Sequence, residues 1–236
     1  MKLFLKLFTI FSILIVIAIY GWFNFDVSEQ SREITPFNSI HVSDPINVYL
    51  KQADKESVTV RSDSNLLEQL IVEVINGKLN IYNKGKIQHE RVLDVFVNYI
   101  VLDTIKTSAQ STLTGLGEMS TPKLLIEASG SSEIKLQLHS SSLKLIMNDA
   151  ANVQLAGTTN DFDLSINHVG DLMAYNFISQ NCMVKIDTGK QSPGIARVNV
   201  QSSLDVIING PRCLKYKGAP NITNQMITGK GKLIKQ

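Results

Sequence analysis

From about Val101 to Gln236 the chain repeats one pattern roughly every twenty residues, and this period leaves it few ways to fold. Aligned blocks begin at Leu124, Leu143, Phe162, Cys182, Leu204 and Ile222, which are 19, 19, 20, 22 and 18 residues apart, 19.6 on average. A looser block starts near Leu102. A fixed period of this size marks an architecture of stacked units. Offsets 0, 2 and 4 of the blocks are apolar: Leu124, Ile126 and Ala128; Leu143, Leu145 and Met147; Phe162, Leu164 and Ile166; Cys182, Val184 and Ile186; Leu204, Val206 and Ile208. That alternation is one inward face of a strand. Offset 5 holds Ser129, Asn148, Asn167, Asp187 and Asn209, residue types that tolerate the left-handed conformation and bond their own backbone at turns. Offsets 10 and 12 are again mostly apolar, as in Ile134 and Leu136 or Val153 and Leu155.

Each block therefore reads as strand, polar turn, second strand and return loop. A strand pair within twenty residues cannot bury its own face, but stacked copies can, like residue above like at about 4.8 Å. The expected fold is all-β, a right-handed parallel β-helix whose offset-5 column forms an Asn/Asp/Ser ladder along one edge. An antiparallel sandwich of evenly spaced strands is the competing arrangement. It gives no reason for a turn column held in register with two apolar columns.

Upstream of Val101 there is alternation without the period. Ile46–Leu50 and Val58–Val60 alternate, Leu70–Val74 and Leu79–Tyr82 flank Asn76-Gly77, and Val92–Leu102 is an apolar, β-branched run. Asn-Gly supplies the two positive-φ residues of a type I′ hairpin turn. Residues 7–25 are a different material: nineteen residues without a charge, about 28 Å as a helix and close to the thickness of a bilayer core. Lys2 and Lys6 precede them, Asp26 and Glu29 follow, and Tyr20 and Trp22 stand near the outer end. The positive-inside rule then leaves the N-terminus cytoplasmic and sends the body across the membrane, into the periplasm or the cell exterior. A cleaved signal peptide is the alternative. It calls for a shorter apolar core and small residues at the cleavage site, where this chain has Tyr20-Gly21-Trp22-Phe23. The chain thus divides into an anchor or signal segment, 1–25, a polar linker, 26–33, and a β-helix domain, 34–236.

Chemistry is sparse. From Asp26 onward there are 21 basic and 21 acidic residues, and a neutral body with no dense basic run is not expected to bind nucleic acid. His41, His89, His139 and His168 have no metal-ligand spacing, and His168 reads as a surface-turn residue. Cys182 falls in an inward column and Cys213 in another environment, so no disulfide is expected. There is no G-x-S-x-G, and Thr228-Gly-Lys-Gly231 lacks the spacing of a phosphate-binding loop. Glu133, Asp149 and Asp171 are the carboxylates that an acidic-polysaccharide-cleaving site could use, but they read as a solvated edge. No catalytic, cofactor-binding or metal residue is assigned, and no cofactor is expected.

The residues from Ile34 to Lys235 resemble the head GIN domain family, described as auto-transporter adhesins. The likeness is carried by Ile34-Thr-Pro-Phe37-Asn-Ser-Ile40-His-Val42, Asn76-Gly77-Lys-Leu79-Asn-Ile81, Ser129-Gly-Ser-Ser132, Tyr216-Lys-Gly-Ala-Pro220 and Thr228-Gly-Lys-Gly231. Only one Ser-Gly-Ser-Ser turn is intact. Ser108-Ala-Gln-Ser, Asn148-Asp-Ala-Ala and Asn167-His-Val-Gly stand at the others, so turn shape is expected to vary from coil to coil. The resemblance implies an exported β-helical, adhesin-like module and carries over no binding residue. The leading expectation is a non-enzymatic envelope protein that contacts the membrane through residues 7–25 and a surface polymer or protein through its body. A polysaccharide-binding or polysaccharide-modifying protein, and a scaffold assembling through the solenoid ends, are the alternatives.

Overall fold

The computed structural model of the protein describes residues 27–63, 67–85, 93–188 and 194–236. The apolar stretch 7–25 lies outside them. Among the described residues no helix is long and apolar enough to cross a membrane.

The regular part is a parallel β-solenoid of about six turns. Its strands β9 (Thr112–Ala128), β10 (Glu133–Met147), β11 (Asn152–Ile166), β12 (Leu172–Asp187) and β13 (Ile195–Asn209) each run through both faces of a coil, bending midway. The last turns are made by β14 (Cys213–Lys217), β15 (Asn221–Thr228) and β16 (Lys232–Lys235). The first face stacks the second halves of β9–β13 and ends in β15. The second face stacks their first halves and ends in β14 and β16.

The register is the one the repeat dictates. Leu124 pairs with Leu143, Leu143 with Phe162, Phe162 with Cys182, Cys182 with Leu204 and Leu204 with Ile222. In β10, Ile134, Leu136, Leu138, Leu143, Leu145 and Met147 are all buried while Glu133, Lys135, Gln137 and Lys144 face solvent. Each inward aliphatic side chain contributes about 1.5–3 kcal/mol by leaving water, and one coil supplies about six. Where the repeat lengthens, the ladder slips locally: between Gln154 and Ala156, opposite Tyr175, and between Leu204 and Asp205, opposite Thr223.

The solenoid begins well before Val101, and out of chain order. Strands β1 (Val27–Arg32), β2 (Ser39–Val42), β3 (Asn47–Gln52), β4 (Ser57–Asp63), β5 (Leu70–Ile75), β6 (Lys78–Asn83), β7 (Leu93–Tyr99) and β8 (Thr104–Thr107) precede the repeat. Strand β2 lies between β6 and β8, and β3 lies between β7 and β9, all parallel. The coil 39–52 is therefore sandwiched between strands β6 and β7 on one side and the coil 104–115 on the other. The period is invisible there because the capping strands β4 and β5 interrupt it. Both pair antiparallel, β4 with β7 and β5 with β6. The stretch 26–33, expected as a linker, contains β1, which closes the β4 edge antiparallel. Its polar composition suits an edge strand with solvent on one side. The β5–β6 hairpin has the expected turn, with Asn76 at φ 52° and Gly77 at φ 74°.

The polar turn column differs from expectation by one residue. The left-handed conformation falls at offset 6, on Ala109, Gly130 and Asp149. Offset 5 instead supplies the ladder: Asn167 Nδ2 donates to Asn148 Oδ1 at 2.9 Å, Asn209 Nδ2 to Asp187 Oδ1 at 3.1 Å, and Thr228 Oγ1 to Asn209 Oδ1 at 3.0 Å.

Close stacking makes several glycines decisive, Gly157 among them. Gly157 has φ 112°, and a Cβ there would overlap the Leu138 carbonyl oxygen of the neighbouring coil. Gly117, at φ 98°, has nothing within 4 Å of that position. Gly117→Ala should cost only the backbone strain, about 1–3 kcal/mol. Gly157→Ala should cost more, because two coils must separate. Urea unfolding midpoints of the two variants check the order, and equal midpoints would show that coil spacing is not limiting.

Candidate contact faces and the buried arginine

At the entry to the second face the register lines up an inward column: Ser111, Ser132, Ala151, Gly170, Gly194, Arg212 and Gly231. The coils are tied along this line by Glu133 N–H to Ser111 O (2.9 Å), Asn152 N–H to Ser132 O (2.9 Å) and Cys213 N–H to Gly194 O (3.0 Å). All but one of these residues are small. Arg212, wholly buried, is the exception and the largest fully buried side chain among the described residues.

Its guanidinium runs along the solenoid interior for two coils. Nη1 donates to His168 O at 3.0 Å, and Nη2 donates to Gly170 O and, at 2.9 Å, to Asp171 Oδ1. Gly194 leaves the passage open: a Cβ there would stand 2.7 Å from the guanidinium carbon. Burial pulls the Arg212 pKa down, while Asp171 opposes that shift. Asp171 is half exposed and its Oδ1 also accepts from Ile195 N–H at 3.3 Å. This carboxylate is thus the counter-ion of an internal strut. The signal in the sequence was an arginine in a column of Ser, Ala and Gly, and it was missed.

The other two candidate carboxylates are also engaged in the fold. Asp149 Oδ2 accepts from Gly130 N–H at 3.1 Å, and Glu133 pairs with Lys135 at 3.3 Å. His168 is exposed at its turn. His139 Nδ1 lies 2.9 Å from Thr158 Oγ1, and His41 is held below the ordinary histidine range by burial, with Lys78 and Lys106 adding to the effect. His89 lies outside the described residues. Cys182 is in the core, its thiol pushed up by burial, and both cysteines are free thiols. Among the described residues, no group of three or more His, Cys, Asp or Glu side chains could hold a metal ion.

The first face carries an open groove of about 370 Å³ whose polar rim is Ser142, Asp161, Asp163, Asn181, Ser203 and Asp205. The floor is Phe162 and Cys182, with exposed Met183 beside it. The rim is a ladder across coils. Asn181 Nδ2 donates to Asp161 Oδ1 at 3.0 Å, Ser203 Oγ to Asn181 Oδ1 at 2.7 Å, and Asn224 Nδ2 to Asp205 Oδ1 at 3.2 Å. Such a surface can accept hydrogen bonds from hydroxyl groups. None of these residues was singled out from the sequence, although they fall at outward offsets of the same repeat.

A parallel β-solenoid with in-register polar ladders defines the class of this protein: a stacked-coil domain that presents long, repetitive flanks. The chain belongs to the family described as "Putative auto-transporter adhesin, head GIN domain", whose model matches residues 36–220. The fold recurs in a putative adhesin from Bacteroides fragilis, at 21% identity and a TM-score of 0.78, covering 89% of this chain and 96% of that one. It recurs in a putative adhesin from Parabacteroides merdae, at 22% identity and TM-score 0.69, with coverage of 89% and 96%. A putative lipid binding protein from Parabacteroides distasonis is similar at 18% identity and TM-score 0.67, again covering 89% and 96%. No curated protein matches the chain.

Removing the strut would leave buried acceptors without donors. Arg212→Ala should lose about 3–5 kcal/mol, with a clear drop in urea midpoint. Gly194→Ala should fall in the same direction by displacing the guanidinium, and Asp171→Asn should cost less, because that carboxylate is half in water. An Arg212→Ala variant as stable as the wild type would show that the strut contributes nothing net.

Proposed function

We propose that this protein is a non-enzymatic, adhesin-like envelope module, tethered by residues 7–25 with its solenoid body outside the cytoplasmic membrane. The observation that carries the reading is the solenoid itself, in a family described as adhesins: its polar side chains are organised as ladders along the flanks rather than converging on a reactive centre. The carboxylates that a polysaccharide-cleaving site could use are separately engaged, Asp171 with Arg212, Asp149 with Gly130 N–H and Glu133 with Lys135. The placement supports the tether as well. Strand β1 begins at Val27, directly after the apolar stretch, and forms the outermost strand of its face.

A scaffold role has one specific observation in its favour. Strand β15 is an eight-residue edge strand without a charged residue, and Ile222 and Met226 are exposed on it. Uncharged edges of this length pair with other strands. Concentration-dependent dimers or filaments, abolished by Met226→Lys, would move the assignment from adhesion to assembly.

Location is read by expressing the full chain in a bacterial host and adding protease to intact cells or spheroplasts. The body should be digested from outside while the chain stays in the membrane after carbonate washing. A protected, freely soluble chain would sink the reading. Catalysis is read on a panel of acidic glycans, where no cleavage is expected; turnover lost in Asp149→Asn would overturn the non-enzymatic assignment. Asp149 is the better probe than Asp171, because Asp171 cannot be changed without unsettling Arg212.

A further inference from the structure

The neutrality of the body is a cancellation of two unlike ends. Residues 194–236 carry seven Lys or Arg and one acid, Asp205, whereas residues 26–193 carry 14 basic and 20 acidic residues. One of the seven, Arg212, is inside the solenoid. Five of the remaining six stand on the three strands that end the second face: Arg197 on β13, Lys215 and Lys217 on β14, Lys232 and Lys235 on β16.

The register crowds most of them. Arg197 is the direct partner of Lys215, Asn199 of Lys217 and Cys213 of Lys232, all on the outward side, whereas Lys235 pairs with buried Tyr216 and shares the other side of the sheet. Neighbouring strands are about 4.8 Å apart, so Arg197 and Lys215 stack cation on cation, an arrangement that destabilises a sheet by itself. Two lysines earlier in the stack are neutralised across coils: Lys106 meets Glu127 at 2.6 Å and Lys144 meets Asp163 at 3.7 Å. Among the described residues, none of the five C-terminal cations has an acidic partner within ion-pair distance. Tyr175 lies at their edge, on the residue that bulges from β12. Lys217 Nζ sits 4.7 Å from its ring centroid, and the Arg197 charge is close enough to act on its hydroxyl. The amides of Asn199 and Gln201 lie beside the strip, bonded to each other at 2.7 Å.

We propose that this strip, Arg197, Lys215, Lys217 and Lys232 with Tyr175 at its edge, binds an acidic polysaccharide through its carboxylate or sulfate groups. The proposal deepens the adhesin-like reading and rests on it for the polymer being within reach. Unmatched cations repeated along the stack suit a ligand with anions repeated along a chain, and the adjoining amides suit sugar hydroxyls. Single-stranded nucleic acid needs free aromatic faces on which bases can stack, and the one ring at the site is covered by Lys217. An anionic membrane is disfavoured by position. The strip lies at the opposite end of the second face from β1, ten strand spacings away, or about 50 Å.

The test uses the full chain in detergent. Immobilised heparin and alginate are the polyanions, neutral dextran the blank, and a single-stranded oligonucleotide and anionic lipid vesicles the competitors. The chain should bind heparin or alginate, be released by salt, and ignore dextran. The double variant K215E/K217E should lose at least tenfold in affinity with an unchanged melting curve, while K135E, on the same face but in the middle of the stack, should bind as the wild type does. The proposal fails if K215E/K217E binds as well as the wild type, if neither polyanion binds, or if the oligonucleotide or the vesicles bind more tightly than both glycans. These outcomes are separable from the location experiment. A surface-exposed chain that binds no polyanion removes this site alone, and a chain that binds glycans but stays in the cytosol removes the envelope reading alone.

Discussion

Everything in this protein depends on each strand pairing in parallel with its counterpart one coil away. The pairing satisfies the backbone, and because the side-chain period of a strand is two, the same register sets which residues point inward. A slip of one residue would turn Leu143, Leu145 and Met147 out to water and bring Lys144 in. The apolar columns hold the register, and the register builds the ladders: Asn148 reaches Asn167 only because Leu145 sits on Leu164. Local slips are tolerated where an extra residue can be pushed outward, as Tyr175 and Thr223 are.

What the sequence revealed was whatever repeats. The offset-0 pairs, the two apolar columns and the offset-5 ladder were all legible, because a column is a statistical object that survives substitution at single sites. The hairpin was legible for a different reason, since Asn-Gly has a strong local preference. The coil 39–52 was not legible as a coil: its partners lie in segments on either side of two capping strands, and its place between them is a long-range fact. The left-handed position fell one residue later than the residue types suggested. Asn and Asp serve both as left-handed residues and as ladder members, and composition does not separate the two uses. Arg212 was missed because a charged residue in a nominally small column looks like an exposed one until the two neighbouring glycines are seen to make room for it. The charge balance misled in the same way, since a total of zero hid an acidic majority and a basic end.

Function on such a scaffold is a property of flanks. A pocket enzyme concentrates perturbed groups in a cleft, whereas here ionisable side chains are distributed along the stack, and several are answered by a neighbour one coil away. Positions left unanswered therefore carry information. The first-face groove is acidic and amide-rich, the C-terminal end of the second face is basic, and the two lie on different sides of the same few coils. The solenoid thus presents two chemically unlike surfaces that do not overlap.

The placement of the coil 39–52 has a mechanical consequence. If the body hangs from residues just before β1, tension enters at the antiparallel β1–β4 contact, six residues long. Once β1 peels away, the load passes to β2 and β3. These are clamped from both sides, by β6 and β8 and by β7 and β9. An end coil could be pulled off one neighbour at a time, but this one must break two interfaces together. The first strand is a fuse and the second coil a lock, an order of strengths that suits a tethered domain meant to give slightly under drag while its far end keeps its shape.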